Sequence, residues 1–130
     1  MDTNFTLDFA SDYINVRYPA NYEITPENQQ KLWEDVRKAC RQHNCHRVLA
    51  ESPTPPKRNM SQTDAFKSAG QAAKASRELR VACLYSNYQP DEITEFFITV
   101  AYKRGIRIEF FSEREEALKW LKADCENSIN

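Results

Sequence analysis

A chain of 130 residues with 18 Lys and Arg against 19 Asp and Glu carries a formal charge of -1 at neutral pH, and 41% of it is hydrophobic. That length suits one domain whose core needs no metal or disulfide, and the charge balance leaves no basic field to neutralise phosphates, which argues against a general nucleic-acid binder. The longest apolar run, Phe96 to Tyr102, has seven residues, far short of the roughly 20 that span a membrane.

From the amino end, Phe5, Leu7 and Phe9 alternate with Thr6 and Asp8, then Ile14, Val16 and Tyr18 alternate with Asn15 and Arg17. This two-residue period predicts two half-buried strands, with Ala10 to Asp12 as the hairpin turn. A helix follows, with Thr25 as N-cap, Pro26 at its first position and Glu27 beside the positive end of its dipole. Its apolar stripe is Leu32, Trp33, Val36, Ala39 and Cys40. Arg47 to Ala50 reads as a short buried strand. Residues 51–60, ESPTPPKRNM, hold three prolines, which removes backbone donors and predicts an irregular loop.

Ser61 and Asp64 form a capping-box pattern with Asp in place of Glu, opening a helix predicted to run to about Leu79. Its inward positions are Ala65, Phe66, Ala69, Ala72, Ala73 and Ser76, and apart from Phe66 they are small enough for close packing. Val81 to Tyr85 is a second short apolar strand, followed by a turn over Asn87 to Pro90. The next helix has Asp91 and Glu92 in its first turn, Lys103 and Arg104 in its last and Gly105 just beyond, complementary to the dipole. Ile93, Phe96, Phe97, Val100 and Ala101 are its stripe. Ile106, Ile108 and Phe110 alternate as the last strand, and Ser112 with Glu115 predicts a capping box ahead of Ala117, Leu118, Trp120 and Leu121.

The order β-β-α-β-α-β-α-β-α predicts a single α/β domain over residues 1–123, with a mixed, mostly parallel sheet flanked by helices and a polar tail at 124–130. The hairpin supplies an antiparallel edge. The start, MDTNFTLDFA, has no basic segment leading into an apolar one, so the expectation is a cytoplasmic chain in which Cys40, Cys45, Cys83 and Cys125 are free thiols.

This order, with the ending RGIRIEFFSEREEALKWL at Arg104 to Leu121, resembles the STAS-type domains, in the branch described as stage II sporulation protein AA-like or STAS/SEC14. The pattern E-E-A-L-x-W-L at Glu115 to Leu121 is its most specific part, and INVRYPANYEITPENQQ is a weaker match. The resemblance covers Tyr13 to Leu121. It implies a non-catalytic regulatory or protein-binding module like the anti-sigma-factor antagonists, in which a Ser at the start of the second helix is phosphorylated. The corresponding stretch here, Asn59 to Ala65, offers Ser61 and Thr63 but lacks the Asp-Ser-Ser-Gly string.

Glu51, Ser52, Lys57, Arg58, Asn59, Ser61 and Thr63 therefore form the candidate partner- or anion-binding face, where open α/β sheets place their crevice. Ser61 and Thr63 read either as phosphoacceptors or as helix-capping hydroxyls, and Lys57 and Arg58 either as anion contacts or as solvated cations. Ser86, Asn87 and Tyr88 line the same strand-end crevice and suit the alternative, a small anionic ligand or a lipid. Cys40, His43, Cys45 and His46 have the wrong spacing for zinc, so no metal or cofactor is expected. With no phosphate-binding glycine loop and only a lone carboxylate, Glu51, at a strand end, no catalytic residue is assigned. Ile98 and Tyr102 widen the apolar face of the third helix, which predicts deep burial or a homodimer.

Overall fold

The computed structural model describes residues 5–54, 57–58, 61–75, 79–85 and 91–127. The chain runs β1(Thr6–Phe9), β2(Ile14–Arg17), β3(Glu23–Ile24), α1(Pro26–His43), β4(Arg47–Ser52), β5(Lys57–Arg58), α2(Gln62–Ala75), β6(Arg80–Tyr85), α3(Glu92–Lys103), β7(Arg107–Phe111) and α4(Arg114–Asn127). The main sheet has the order β1-β2-β4-β6-β7. β1 pairs with β2 antiparallel, and the other neighbours are parallel, the expected mixed sheet with an antiparallel edge.

Register decides which residues meet. Val16, Ala50 and Cys83 are partners along one row, as are Asn15, Leu49 and Ala82 along the next. Because side chains alternate faces, the first row joins the larger core with α1, α2 and α3, through Leu32, Trp33, Val36, Ala69, Ala72 and Ala101. The second row packs with Tyr13 under Ala117 and Leu121 of α4. Three helices thus cover one face of the sheet and one helix the other.

Local signals account for most boundaries. Thr25 Oγ1 accepts from Asn28 N at 3.1 Å with Pro26 at the first helical position, and Asn44 ends α1 at φ 50°. Asp91 proves to be the N-cap of α3, accepting from Thr94 N at 2.8 Å, and Gly105 beyond its end has φ 89°. A left-handed residue there favours glycine, since a Cβ would clash with the following carbonyl.

Several expectations are corrected. The proline-rich loop is not wholly irregular: Lys57–Arg58 pairs parallel with Glu23–Ile24 in a separate two-stranded sheet, which a two-residue element cannot announce by periodicity. The second helix is described over Gln62–Ala75, the predicted inward Ser76 lies outside the described residues, and Leu79 is fully buried ahead of β6 rather than helical. Phe66 is 47% exposed rather than inward. The last helix begins at Arg114, with Glu113 O accepting from Ala117 N, so Ser112 lies one position outside its predicted cap. In α3 the predicted stripe is only half-buried apart from Ala101, and Thr94 shares the buried side.

Candidate functional site

The N-terminus of α2 carries the predicted recognition face. Ser61 Oγ accepts from Asp64 N at 3.1 Å and Asp64 Oδ2 accepts from Ser61 N at 3.2 Å, a reciprocal box that satisfies two otherwise unpaired donors. Both oxygens are thereby engaged in capping, and both residues stand near solvent. Gln62, Thr63, Phe66 and Lys67 are exposed along the next turn. The Arg104 guanidinium lies over the Phe66 ring at 4.7 Å, so this aromatic is oriented but left open to water on its other side. Lys57 and Arg58 form β5, while Asn59, Ser86, Asn87 and Tyr88 lie outside the described residues.

Glu51 and Ser52 leave the end of β4 in opposite directions. On the α4 face, Glu51 Oε1 accepts from Arg114 Nη1 at 2.7 Å, and Oε2 accepts from Asn15 Nδ2 at 3.0 Å and Arg17 Nε at 3.3 Å. Arg114 Nη2 also donates to Tyr13 Oη at 3.4 Å. With two guanidiniums and a buried amide on its oxygens, this carboxylate acts as a clamp between β2, β4 and α4, and its lone pairs are committed rather than poised as a base. Ser52 Oγ donates to Thr54 O, and Asn21 N donates to Thr54 Oγ1 at 3.1 Å. Ser52 thus bonds locally to Thr54, whose own hydroxyl reaches the turn before β3, and does not join Ser61.

Beneath that strand end lies a group the sequence reading missed. Tyr18 follows β2, Tyr85 ends β6 opposite Ser52, and Tyr22 returns over Tyr18 through Asn21, whose φ is 63°. Tyr18 and Tyr22 stack at 4.4 Å, Tyr85 and Phe110 meet edge-on at 5.6 Å, and Phe5 meets Tyr18 at 6.4 Å. Hydrogen bonds join Tyr85 to Tyr18 and to Cys83, whereas the buried Tyr22 hydroxyl has no partner. Burial pushes the Tyr22 phenol and the Cys83 thiol each up to about 12, and holds Tyr18 and Tyr85 well above the ordinary phenol value too. Groups held neutral in this way are not nucleophiles at physiological pH. The sequence signal was the recurrence of Tyr four residues apart across Pro19; Tyr18 itself was read as part of the second strand, which ends at Arg17.

The cysteines and histidines near the end of α1 diverge. Cys40 is buried in the core, and His43 stacks on Phe9 with centroids 4.0 Å apart. Cys40, Cys45 and Cys83 are thiols rather than halves of a disulfide. Among the described residues no group of three His, Cys, Asp or Glu side chains could hold a metal ion, and no helix is long and apolar enough to cross a membrane.

With the sheet order and site geometry in place, the chain can be set beside solved structures. A crystal structure of an uncharacterised protein of the DUF3478 family with a SpoIIAA-like fold, from Shewanella loihica, superposes with a TM-score of 0.51 over 93% of this chain and 98% of that one, at 19% identity. The fold is SpoIIAA-like. No protein-family model matches the chain, and no curated protein matches it. In this SpoIIAA-like frame the second helix after the opening strands is α2, so the resemblance read from the terminal helix motif and the observed topology agree on the architecture.

Proposed function

We propose that the protein is a non-catalytic regulatory module that binds a protein partner through the N-terminal half of α2. The observation that carries this reading is Phe66, a large apolar side chain 47% exposed one turn beyond the Ser61 capping box. Aromatic residues on a rigid helix are frequent anchors of protein interfaces, because they bury much area for little lost rotamer freedom. Thr63 and Lys67 flank it with polar groups suited to an interface rim.

Ser61 and Thr63 are the hydroxyls through which this face would be switched. A phosphoryl group there adds roughly -1.5 to -2 charge at a helix N-terminus, which favours anions. On Ser61 it would also confront the Asp64 carboxylate, which accepts from Ser61 N, and would occupy the oxygen that accepts from Asp64 N. Modification would thus rework the cap and the surface charge beside Phe66 together, without altering the fold.

A photo-crosslinking residue placed at position 66, against a control at exposed Lys38 on α1, identifies the partner in cells. The complex is then rebuilt from purified components. Phe66→Ala is expected to weaken it at least tenfold, corresponding to about 1.4 kcal/mol or more, while Lys38→Ala leaves it unchanged. Equal crosslinking at both positions, or unaltered affinity of Phe66→Ala, would overturn the reading.

A further inference from the structure

We infer that the outer face of α3 is a self-association surface, on which α3 of a second copy lies antiparallel across a two-fold axis. Glu92, Glu95, Thr99, Tyr102 and Lys103 are all exposed. At 3.6 residues per turn they fall within one arc of about 100° on the side away from buried Thr94 and Ala101. Tyr102 is 63% exposed, more than any other large hydrophobic described, and half-buried Phe96 and Ile98 border the arc on its two sides.

The charges on this face choose the occupant. Acids stand at its start, Glu92 and Glu95, and a base at its end, Lys103. Among the described residues neither Glu95 nor Lys103 makes an ion pair within the chain. A parallel copy would set acid on acid, whereas an antiparallel copy centred on Thr99 sets Glu95 against Lys103 of the second copy. The same register brings Phe96 against Tyr102 of the second copy, and a two-fold axis makes each pair occur twice. Thr99 at the centre is small enough for the helix axes to approach to about 8–10 Å. The Arg107 guanidinium, 5.7 Å from the Tyr102 ring centroid, adds positive charge at the end that would meet Glu92 of the second copy. The arc points away from the side of α3 from which Arg104 reaches Phe66, and its occupation does not depend on the reading given for Phe66.

Twelve helical residues extend about 18 Å, which gives a small interface of the weak, transient class. Sedimentation equilibrium of the full chain from 5 µM to about 1 mM tests this at low salt, where exposed ion pairs are least screened. The expected result is a reversible monomer–dimer equilibrium weakened at least tenfold by Glu95→Lys alone and by Lys103→Glu alone. Mixing those two single variants restores dimer, and combining both substitutions in one chain restores it as well. Restoration shows that each variant is folded and that the two positions meet across the axis. A wild-type chain that stays monomeric throughout, or single variants that dimerise like the wild type, would overturn the inference.

Discussion

Two buried hydroxyls make opposite contributions to this protein. Ser68, 2% exposed on α2, accepts hydrogen bonds from Trp33 Nε1 at 3.0 Å and Gln29 Nε2 at 3.1 Å and so couples α2 to α1. Removing it strands two buried donors, each carrying a desolvation penalty of about 1–3 kcal/mol. Ser68→Ala is therefore expected to destabilise the chain by about 2 kcal/mol in urea denaturation. The Tyr22 hydroxyl is buried without a partner, and Tyr22→Phe keeps the ring stack on Tyr18 while deleting the orphan. That substitution is expected to hold or raise stability, by up to about 1 kcal/mol. A loss on Tyr22→Phe would reveal a bound water or ligand on that oxygen. Neither role was legible in the sequence, because Ser68 sits at an ordinary helical position and its two donors lie 35 and 39 residues away.

At the scale of elements, the close fit of α2 on α3 turns on one position. A Cβ at Gly70 would come within 2.9 Å of Arg104 Nη1, the flexible end of the side chain that covers Phe66. Alanine in a helix interior gains about 1 kcal/mol over glycine, while an exposed cation-π contact is worth about 0.5–1 kcal/mol. Gly70→Ala should consequently stabilise the protein slightly, by up to about 0.5 kcal/mol, as Arg104 swings off Phe66. Thermal unfolding checks the sign, and a clear loss would show that Arg104 has nowhere else to go. Caps and periodicity made α1 readable almost to the residue, since Thr25, Pro26 and the Leu32 to Cys40 stripe act locally. Phe66 was misread because helical spacing alone placed it inward, whereas the small residues beside it, Ala65, Ala69 and Ala72, fill that side. β3 and β5 escaped notice because two residues have no period.

At the scale of the whole molecule, the tyrosine group ties folding to alkaline pH. Cys83 moves from an ordinary 9.0 to about 12 and Tyr22 from 10.0 to about 12, both through burial. Between those values the unfolded chain has released protons that the folded chain keeps, so stability falls as pH rises. The contribution is complete below about pH 9, the ordinary thiol value, and is lost on the way to about 12. Unfolding free energies from urea titrations at pH 7 to 11 should be level with respect to these groups until about 9, then decline by up to about 1.4 kcal/mol per pH unit for each group titrating. Tyr22→Phe, by deleting one of them, should make the decline above about 10 shallower, and an unchanged slope would remove that phenol as a cause. The architecture itself was readable, because alternation, capping and three strand-helix-strand crossovers each constrain the same topology. The site was less so: Glu51 and Ser52 are adjacent in sequence, yet the pleat sends them to opposite faces, one into the Arg17–Arg114 clamp and the other toward Thr54.

β1 has a further role that follows from its place in the sheet. Thr6, Asp8 and Phe9 are exposed and Leu7 is half-buried, so the strand adds little to either core, whereas its neighbour β2 is buried at Ile14, Asn15 and Val16. An uncovered β2 would offer a row of open amide and carbonyl groups beside apolar side chains, a template on which other chains could stack into aggregates. β1 closes that row with a strand of four residues carrying an exposed Asp8, itself a poor template. Its worth to the molecule lies less in the free energy of its own contacts than in the colloidal fate it averts, and a chain trimmed to lack β1 is expected to scatter light at temperatures where its circular dichroism still reports a folded core.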